Sequence, residues 1–261
     1  MKRWLVIALL LSAGGAWGQS HADPQQFAAM WEAATDITHG LQHFFDPGGT
    51  GEDKDQITGM TPVESGSVKT DSNGWMFEGG AWKFWTLASP ISNASSYAVA
   101  VWVKPNKTAM DSQTFGGWIL ADRNPINTGW DFQLWYAANN AWFFQARDKV
   151  NSISYSASSA NVEHDTWTHL FAVADYDALE LRLYVNGVLE QATSVPSAAA
   201  ESVFSNVSTQ TRIGMSSWDI SVNLQYRGVM DKLRFYNGYA PDEAFITRVY
   251  QADGEAKGIL P

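Results

Sequence analysis

Residues 167–187 read WTHLFAVADYDALELRLYVNG, and their alternation decides the architecture. In the first half His169, Phe171 and Val173 interleave with Thr168, Leu170 and Ala172. In the second, Leu181, Leu183 and Val185 interleave with Arg182, Tyr184 and Asn186. A period of two marks a strand, whose successive side chains leave on opposite faces. Residues 175–178 supply a polar turn between the halves, and Asn186-Gly187 closes the second arm with a pair that tolerates positive φ at little steric cost. The stretch is therefore predicted to be a β-hairpin that runs into a second tight turn.

Outward from it, short apolar runs recur with turn signals between them, at 39–45, 74–78, 96–104, 118–122, 130–136, 141–147, 152–156, 211–215 and 226–236. Many short strands joined by Gly- or Asn-bearing turns predict an all-β fold, an antiparallel two-sheet β-sandwich. Within 96–104 the pattern sets Val99, Val101 and Val103 on one face and Ala100 and Trp102 on the other. Residues 242–251 read as a short C-terminal helix, started by Pro241 and amphipathic through Phe245, Ile246, Val249 and Tyr250. The loop 46–61, rich in Gly and Asp, has no apolar period and is predicted to be surface.

The first residues, MKRWLVIALLLSAGGAWGQ, place Lys2 and Arg3 before an apolar run and a small-residue stretch, the layout of a secretory signal peptide. Cleavage after Gly18 meets the small-x-small rule, with Ala22 as the alternative. The chain then divides into a signal peptide at 1–18, a weakly helical lead-in at 19–38 and one β domain at 39–261. The expected location is outside the cytoplasm: extracellular, periplasmic or at the cell surface, with no membrane insertion after cleavage. There is no Cys, so the fold must rest on its core or on a metal, which suits export from a bacterium. The net charge of −10 becomes −12 once Lys2 and Arg3 are removed, and a charge of that sign repels nucleic acid and anionic membranes.

The order of motifs resembles the laminin-G-like domains of the concanavalin A-like lectin/glucanase superfamily. It runs HGLQHFF, WMFEGG, YAVAVWVKP, WTHLFAVADYD with LRLYVNGVL, TRIGM, and RGVMDKLRFYNGYAPDEAF. The resemblance implies a jelly-roll sandwich. It also implies a structural Ca²⁺ held by Asp231, by a carbonyl of Gly79 or Gly80, and by the backbone near Phe45, against the plain alternative that Asp231 bonds a neighbouring backbone amide. Ca²⁺ suits such a site because it accepts several hard oxygen ligands in flexible geometry. The acidic loop offers Asp46, Glu52, Asp53 and Asp55 off the EF-hand register, and a solvated loop is the expectation there.

Enzymes share this sandwich, but the acidic pairs here are poorly placed for catalysis. Retaining hydrolases need two carboxylates on one strand face, whereas Asp175/Asp177 falls in a hairpin turn and Asp53/Asp55 in the Gly-rich loop. The lyase signatures are missing, and so are the common zinc, serine and phosphate-loop motifs. The chain is expected to be non-catalytic.

Thirteen Trp, thirteen Phe and nine Tyr exceed what one sandwich core requires, so some are expected to meet a ligand. The segment WDFQLWYAANNAWFFQAR is densest. With Phe132 and Leu134 inward, Asp131, Gln133 and Trp135 point outward, and Trp142 lies across the turn with Phe144. Indole rings stack on the apolar C–H faces of sugars while amides and carboxylates orient hydroxyls, although the opposite register would bury Trp135. Loop candidates are Trp85, Trp118 and Trp218. The expected partner is a glycan or another extracellular polymer. The alternatives are an adhesion role with another extracellular protein or with itself, and a divergent polysaccharide hydrolase or lyase.

Overall fold

The computed structural model describes residues 41–46, 55–57, 61–65, 68–78, 82–85, 95–111, 116–124, 129–160, 162–204, 210–215 and 225–260. By its contacts the chain separates into Met1–Leu41 and Gln42–Pro261, and the sandwich described below is the second unit. The expected signal peptide and lead-in lie outside the described residues.

Among the described residues, fifteen strands follow in chain order. They are β1 (Leu41–Phe45), β2 (Val63–Ser65), β3 (Lys69–Asp71), β4 (Gly74–Phe77), β5 (Trp82–Trp85), β6 (Tyr97–Pro105), β7 (Gly117–Asn124), β8 (Gly129–Ala137), β9 (Ala141–Asp148), β10 (Ile153–Ala160), β11 (Thr168–Asp175), β12 (Glu180–Val185), β13 (Val188–Ser194), β14 (Gln210–Ile213) and β15 (Gly228–Asn237). A short helix α1 (Lys107–Asp111) follows β6, α2 (Ala200–Val203) follows β13, and α3 (Glu243–Ala256) ends the described chain. The first sheet runs β13-β12-β11-β6-β15-β4-β3, with β1 also on β15; the second runs β10-β9-β8-β7-β14-β5-β2. The expected antiparallel two-sheet sandwich is what forms.

The hairpin of 167–187 pairs Leu170 with Val185 through Asp175 with Glu180. Asn186 and Gly187 turn with φ of 51° and 78°, the mirror-image geometry that matches strand twist. Asn186 accepts the His169 amide at 2.9 Å through its side chain. A Cβ at Gly187 would stand 2.9 Å from the Tyr250 ring, so the turn needs glycine for contact as well as for φ.

Alternation sorts the side chains. Val99, Val101 and Val103, Leu170, Ala172 and Ala174, and Met230, Leu233 and Phe235 face Phe132, Leu134, Trp142 and Phe144 across the gap between sheets. The opposite face of the first sheet is also buried: Trp102, His169, Phe171 and Tyr236 are at most 1% exposed. Helix α3 covers them. Tyr250 stacks on Trp102 at 5.7 Å, and Phe245 meets Tyr236 edge-on. This second apolar layer is why β11 is buried along nearly its whole length, where a half-exposed strand would show alternating exposure.

A register shift in β15 between Asp231 and Arg234, with Lys232 at φ 49°, inserts one residue, so that Asp231 pairs with Trp102 and Arg234 with Ala100. Both charges thereby reach the outer face under α3. Arg234 donates two hydrogen bonds to Asp253 of the helix, one at 2.8 Å, and both residues are almost fully buried. Asp242 caps the helix by accepting the Phe245 amide at 2.8 Å. The helix extends beyond the expected 242–251 because Asp253, a partner for Arg234, lies past that stretch.

His169 sits at the bottom of this layer, wholly buried, with no hydrogen-bond partner at either ring nitrogen among the described residues. Burial drives its pKa down to about 4; the negative Asp253 partly offsets this and Arg234 adds to it. The unfolded chain therefore binds the extra proton between pH 6.5 and 4, and stability should fall as pH drops through that window, by about 3 kcal/mol in all. Burial also raises the Asp253 carboxyl, but the charge and hydrogen bonds of Arg234 outweigh it, so its stabilising share is lost only in more acid solution. Urea titrations from pH 7 to pH 4 should show the His169 slope in the native chain and lose it in His169→Leu; an unchanged slope would remove His169 as its source.

Candidate functional site

The outer face of the second sheet carries a cluster of polar and aromatic side chains. On β8, Phe132, Leu134 and Tyr136 enter the core, which sends Gln133 and Trp135 to the opposite face. On β9, Trp142, Phe144 and Ala146 enter the core, so Phe143 and Gln145 stand beside them on the outer face. On β7 a register shift between Trp118 and Leu120 lets Ile119 and Leu120 both join the core, while Trp118 packs with Ala121 and Trp135.

Three strands thus present a continuous aromatic row. Trp118 stacks on Trp135 with centroids 5.1 Å apart and planes 11° apart, and Trp135 stacks on Phe143 at 5.1 Å and 24°. Beneath it runs a chain of amides. The Trp118 indole donates to Gln133 Oε1 at 2.7 Å, and Gln133 Nε2 donates to Gln145 Oε1 at 2.8 Å. The Trp135 indole donates to the same Gln145 oxygen at 3.2 Å. Trp118 and Gln133 are 6% and 4% exposed, whereas Trp135, Phe143 and Gln145 are half-buried. The faces of Trp135 are occupied by its neighbours, and the row ends at the half-buried Phe143. There the next cross-strand residue is only Ser158.

The expectations for single residues divide. Gln133, Trp135 and Trp118 come together on one face. Trp142 does not join them: it is 1% exposed in the intersheet core, edge-on to Tyr136 at 5.7 Å, because its partner Tyr136 faces inward. It is out of a ligand's reach, and Phe143 holds the outward place. Phe143 and Gln145 were legible as the alternates of Trp142 and Phe144 once the inward set was known. Only the backbones of Asp131 in β8 and Trp85 in β5 are described, and Trp218 lies outside the described residues.

Of the residues implied for Ca²⁺, Asp231 is the one whose ligating side chain is described, and it is taken by a lysine. The Asp231 carboxylate is 2% exposed at its side chain and is held by the ammonium of Lys257 at the end of α3. Phe45 packs in the core against Trp75, and Gly79 and Gly80 lie outside the described residues. Among the described residues no three His, Cys, Asp or Glu gather in a way that could hold a metal. Of the acidic loop, Asp55 is fully buried and accepts the Phe44 and Ile57 amides at 2.9 and 3.0 Å, so it is a backbone tie and not a solvated group. Asp46 pairs with Lys232 at 3.3 Å.

The turn carboxylate Asp175 is taken by Arg182 at 2.7 Å. His164 meets the Tyr136 hydroxyl at 3.2 Å. Neither contact forms an acid and nucleophile. Among the described residues no helix is long and apolar enough to cross a membrane.

This stacking of two antiparallel sheets defines a jelly-roll β-sandwich. The model of the concanavalin A-like lectin/glucanases superfamily matches residues 79–244, and the chain belongs to that family. No curated protein matches it in sequence. Among solved structures, domain 4 of AbnA, an extracellular arabinanase from Geobacillus stearothermophilus in complex with arabinotriose, shares 17% identity over 81% of this chain and 98% of its own, with a TM-score of 0.59. Botulinum neurotoxin type C, whose cell entry depends on two ganglioside molecules, shares 12% over 83% of this chain and 52% of its own, at 0.59. The Trypanosoma rangeli sialidase shares 14% over 82% and 33%, at 0.58. At such identities the likeness is one of fold.

Removing Lys257 takes a cationic partner from the buried Asp231 carboxylate. Lys257→Met is expected to cost about 3–5 kcal/mol, the usual penalty for breaking a buried pair from one side, with partial recovery in the double variant with Asp231→Asn. Chemical denaturation measures it. In the native chain the melting midpoint is expected to stay put under chelator and under added Ca²⁺; a drop under chelator would put a metal beside Asp231 after all.

Proposed function

We propose that this chain is a secreted, non-catalytic binding module that recognises a glycan or a similar extracellular polymer on the outer face of its second sheet. The observation that carries the reading is the Trp118–Trp135–Phe143 row backed by the Gln133–Gln145 amides. Its half-buried end at Phe143 offers apolar surface to a sugar's C–H face, and the Gln145 amide lies close enough to orient hydroxyls. The row is held by contacts within the protein, so little side-chain freedom remains to be lost when a ligand arrives. The presence of arabinotriose on an AbnA domain of similar fold supports a sugar as the ligand class.

Affinity electrophoresis through a panel of polysaccharides, with arabinan included, tests this. Retardation by at least one glycan is expected, and Phe143→Ala and Gln145→Ala should each weaken it about three- to thirtyfold while the melting midpoint stays within a few degrees. Retardation that survives both changes would remove the row from the site. Self-association by light scattering without any glycan retention would favour an adhesion role, and release of reducing or unsaturated sugar ends would make the chain an enzyme.

A further inference from the structure

A second concavity lies on the other sheet, where the cover of α3 ends. On the outer face of the first sheet, Trp102 and Asp231 form the last paired rung under the helix, closed by Tyr250 and Lys257. One rung further, Val229 pairs with Lys104 on one side and with Met76 on the other. These three half-buried side chains floor a cleft of about 480 Å³ that Trp167, Arg227 and Asn106 help to wall. The volume falls within the ordinary range for small-ligand sites.

The cleft is built to keep its shape. Gly228, at its base, has φ 149°, and a Cβ there would stand 2.3 Å from the Lys104 carbonyl, so the strands close up only around glycine. Trp167 is fixed by Lys257, whose ammonium sits 4.2 Å from the ring centroid while it also holds Asp231. Asn106 caps α1 by accepting the Ala109 amide at 2.9 Å, which leaves its NH₂ group as a donor.

The charges at the cleft are unevenly satisfied. Of the two carboxylates on its rim, Glu78 is paired with Lys69 at 2.9 Å, whereas Asp165 accepts the neutral Lys107 amide at 3.3 Å and keeps its charge. Among the described residues Lys104 makes no hydrogen bond through its ammonium and no ion pair, though it is half-buried. In a chain of net charge −10, the cleft sets Lys104 and Arg227 against Asp165 and a Glu78 already paired with Lys69, so an uncommitted cation stands beside an aromatic ring and an apolar floor.

We infer that this cleft binds an anionic sugar unit, its ring against Trp167 and its carboxylate or sulfate on Lys104. A compact ammonium forms a strong, charge-assisted bond with such a group, and the apolar floor suits a sugar face better than a bare inorganic ion. The cleft and the aromatic row belong to different sheets, so the inference stands apart from the proposed function.

Calorimetric titration of the full chain with oligogalacturonate, a sulfated disaccharide and inorganic phosphate tests it. Binding of at least one of the two anionic sugars is expected, weakening as salt rises, with no comparable binding of phosphate. Lys104→Gln should weaken it about tenfold or more and flatten the salt dependence, Lys104→Arg should retain most of it, and Trp167→Ala should abolish it, each with an unchanged circular dichroism spectrum. Failure to bind either sugar, equal binding of phosphate, or indifference to Lys104→Gln overturns the inference. Binding of the anionic sugar that is lost in Phe143→Ala but kept in Lys104→Gln fails the inference while leaving the outer-face site intact; anionic-sugar binding lost in Lys104→Gln and kept in Phe143→Ala supports it whether or not the polysaccharide panel is retained on the row.

Discussion

The buried bond between Arg234 and Asp253 is the contact on which the arrangement turns. It fastens α3 over the first sheet, and through the helix it sets both apolar layers. Without that cover Trp102, His169 and Phe171 would meet water, and the sheet would have one core instead of two. A buried pair of this kind adds little by itself, because desolvation consumes most of the attraction, but it fixes where the helix must lie. The inserted residue in β15 is what turns Arg234 and Asp231 to the same side, so a backbone irregularity decides the position of the helix at two points along its length.

The same helix bounds the cleft. Its final turn brings Lys257 between Asp231 and Trp167, and the concavity opens one rung beyond. The two candidate sites therefore owe their shape to different causes. The aromatic row follows from cross-strand register within a single sheet, whereas the cleft follows from where a covering element stops.

Much of this was legible in the residues. Asn186-Gly187 announced its turn, and Val99, Val101 and Val103 announced their face, because both signals depend on local sterics and a period of two. β13 was missed: VLEQATS has polar and apolar residues with no consistent period, and the strand is exposed on both sides. The face of Trp118 was hidden by the register shift beside it, and the order Trp142-Phe143-Phe144 gives three adjacent aromatic residues with nothing local to say which turn inward. Asp231 was read as a Ca²⁺ ligand or a backbone tie; its partner Lys257 lies twenty-six residues away beyond a helix, and no sequence pattern links them. The importance of Lys104 was invisible for the converse reason, since a lysine without a partner looks like any other lysine until its neighbours are placed.

One contact pair at the margin of the sandwich has a bearing on how copies of this chain can meet. The border strands of the two sheets, β10 and β13, lie side by side: Gln191 accepts the Ser158 amide at 2.7 Å, and Thr193 donates to the Ser156 carbonyl at 2.8 Å. Side chains of one border thereby occupy backbone groups that a foreign strand would need for pairing. At those two positions of β10 a foreign strand finds the backbone groups already engaged. Strand addition at these positions would first have to displace Gln191 and Thr193, so the edge is guarded by side chains of the neighbouring sheet and is opened by changing them.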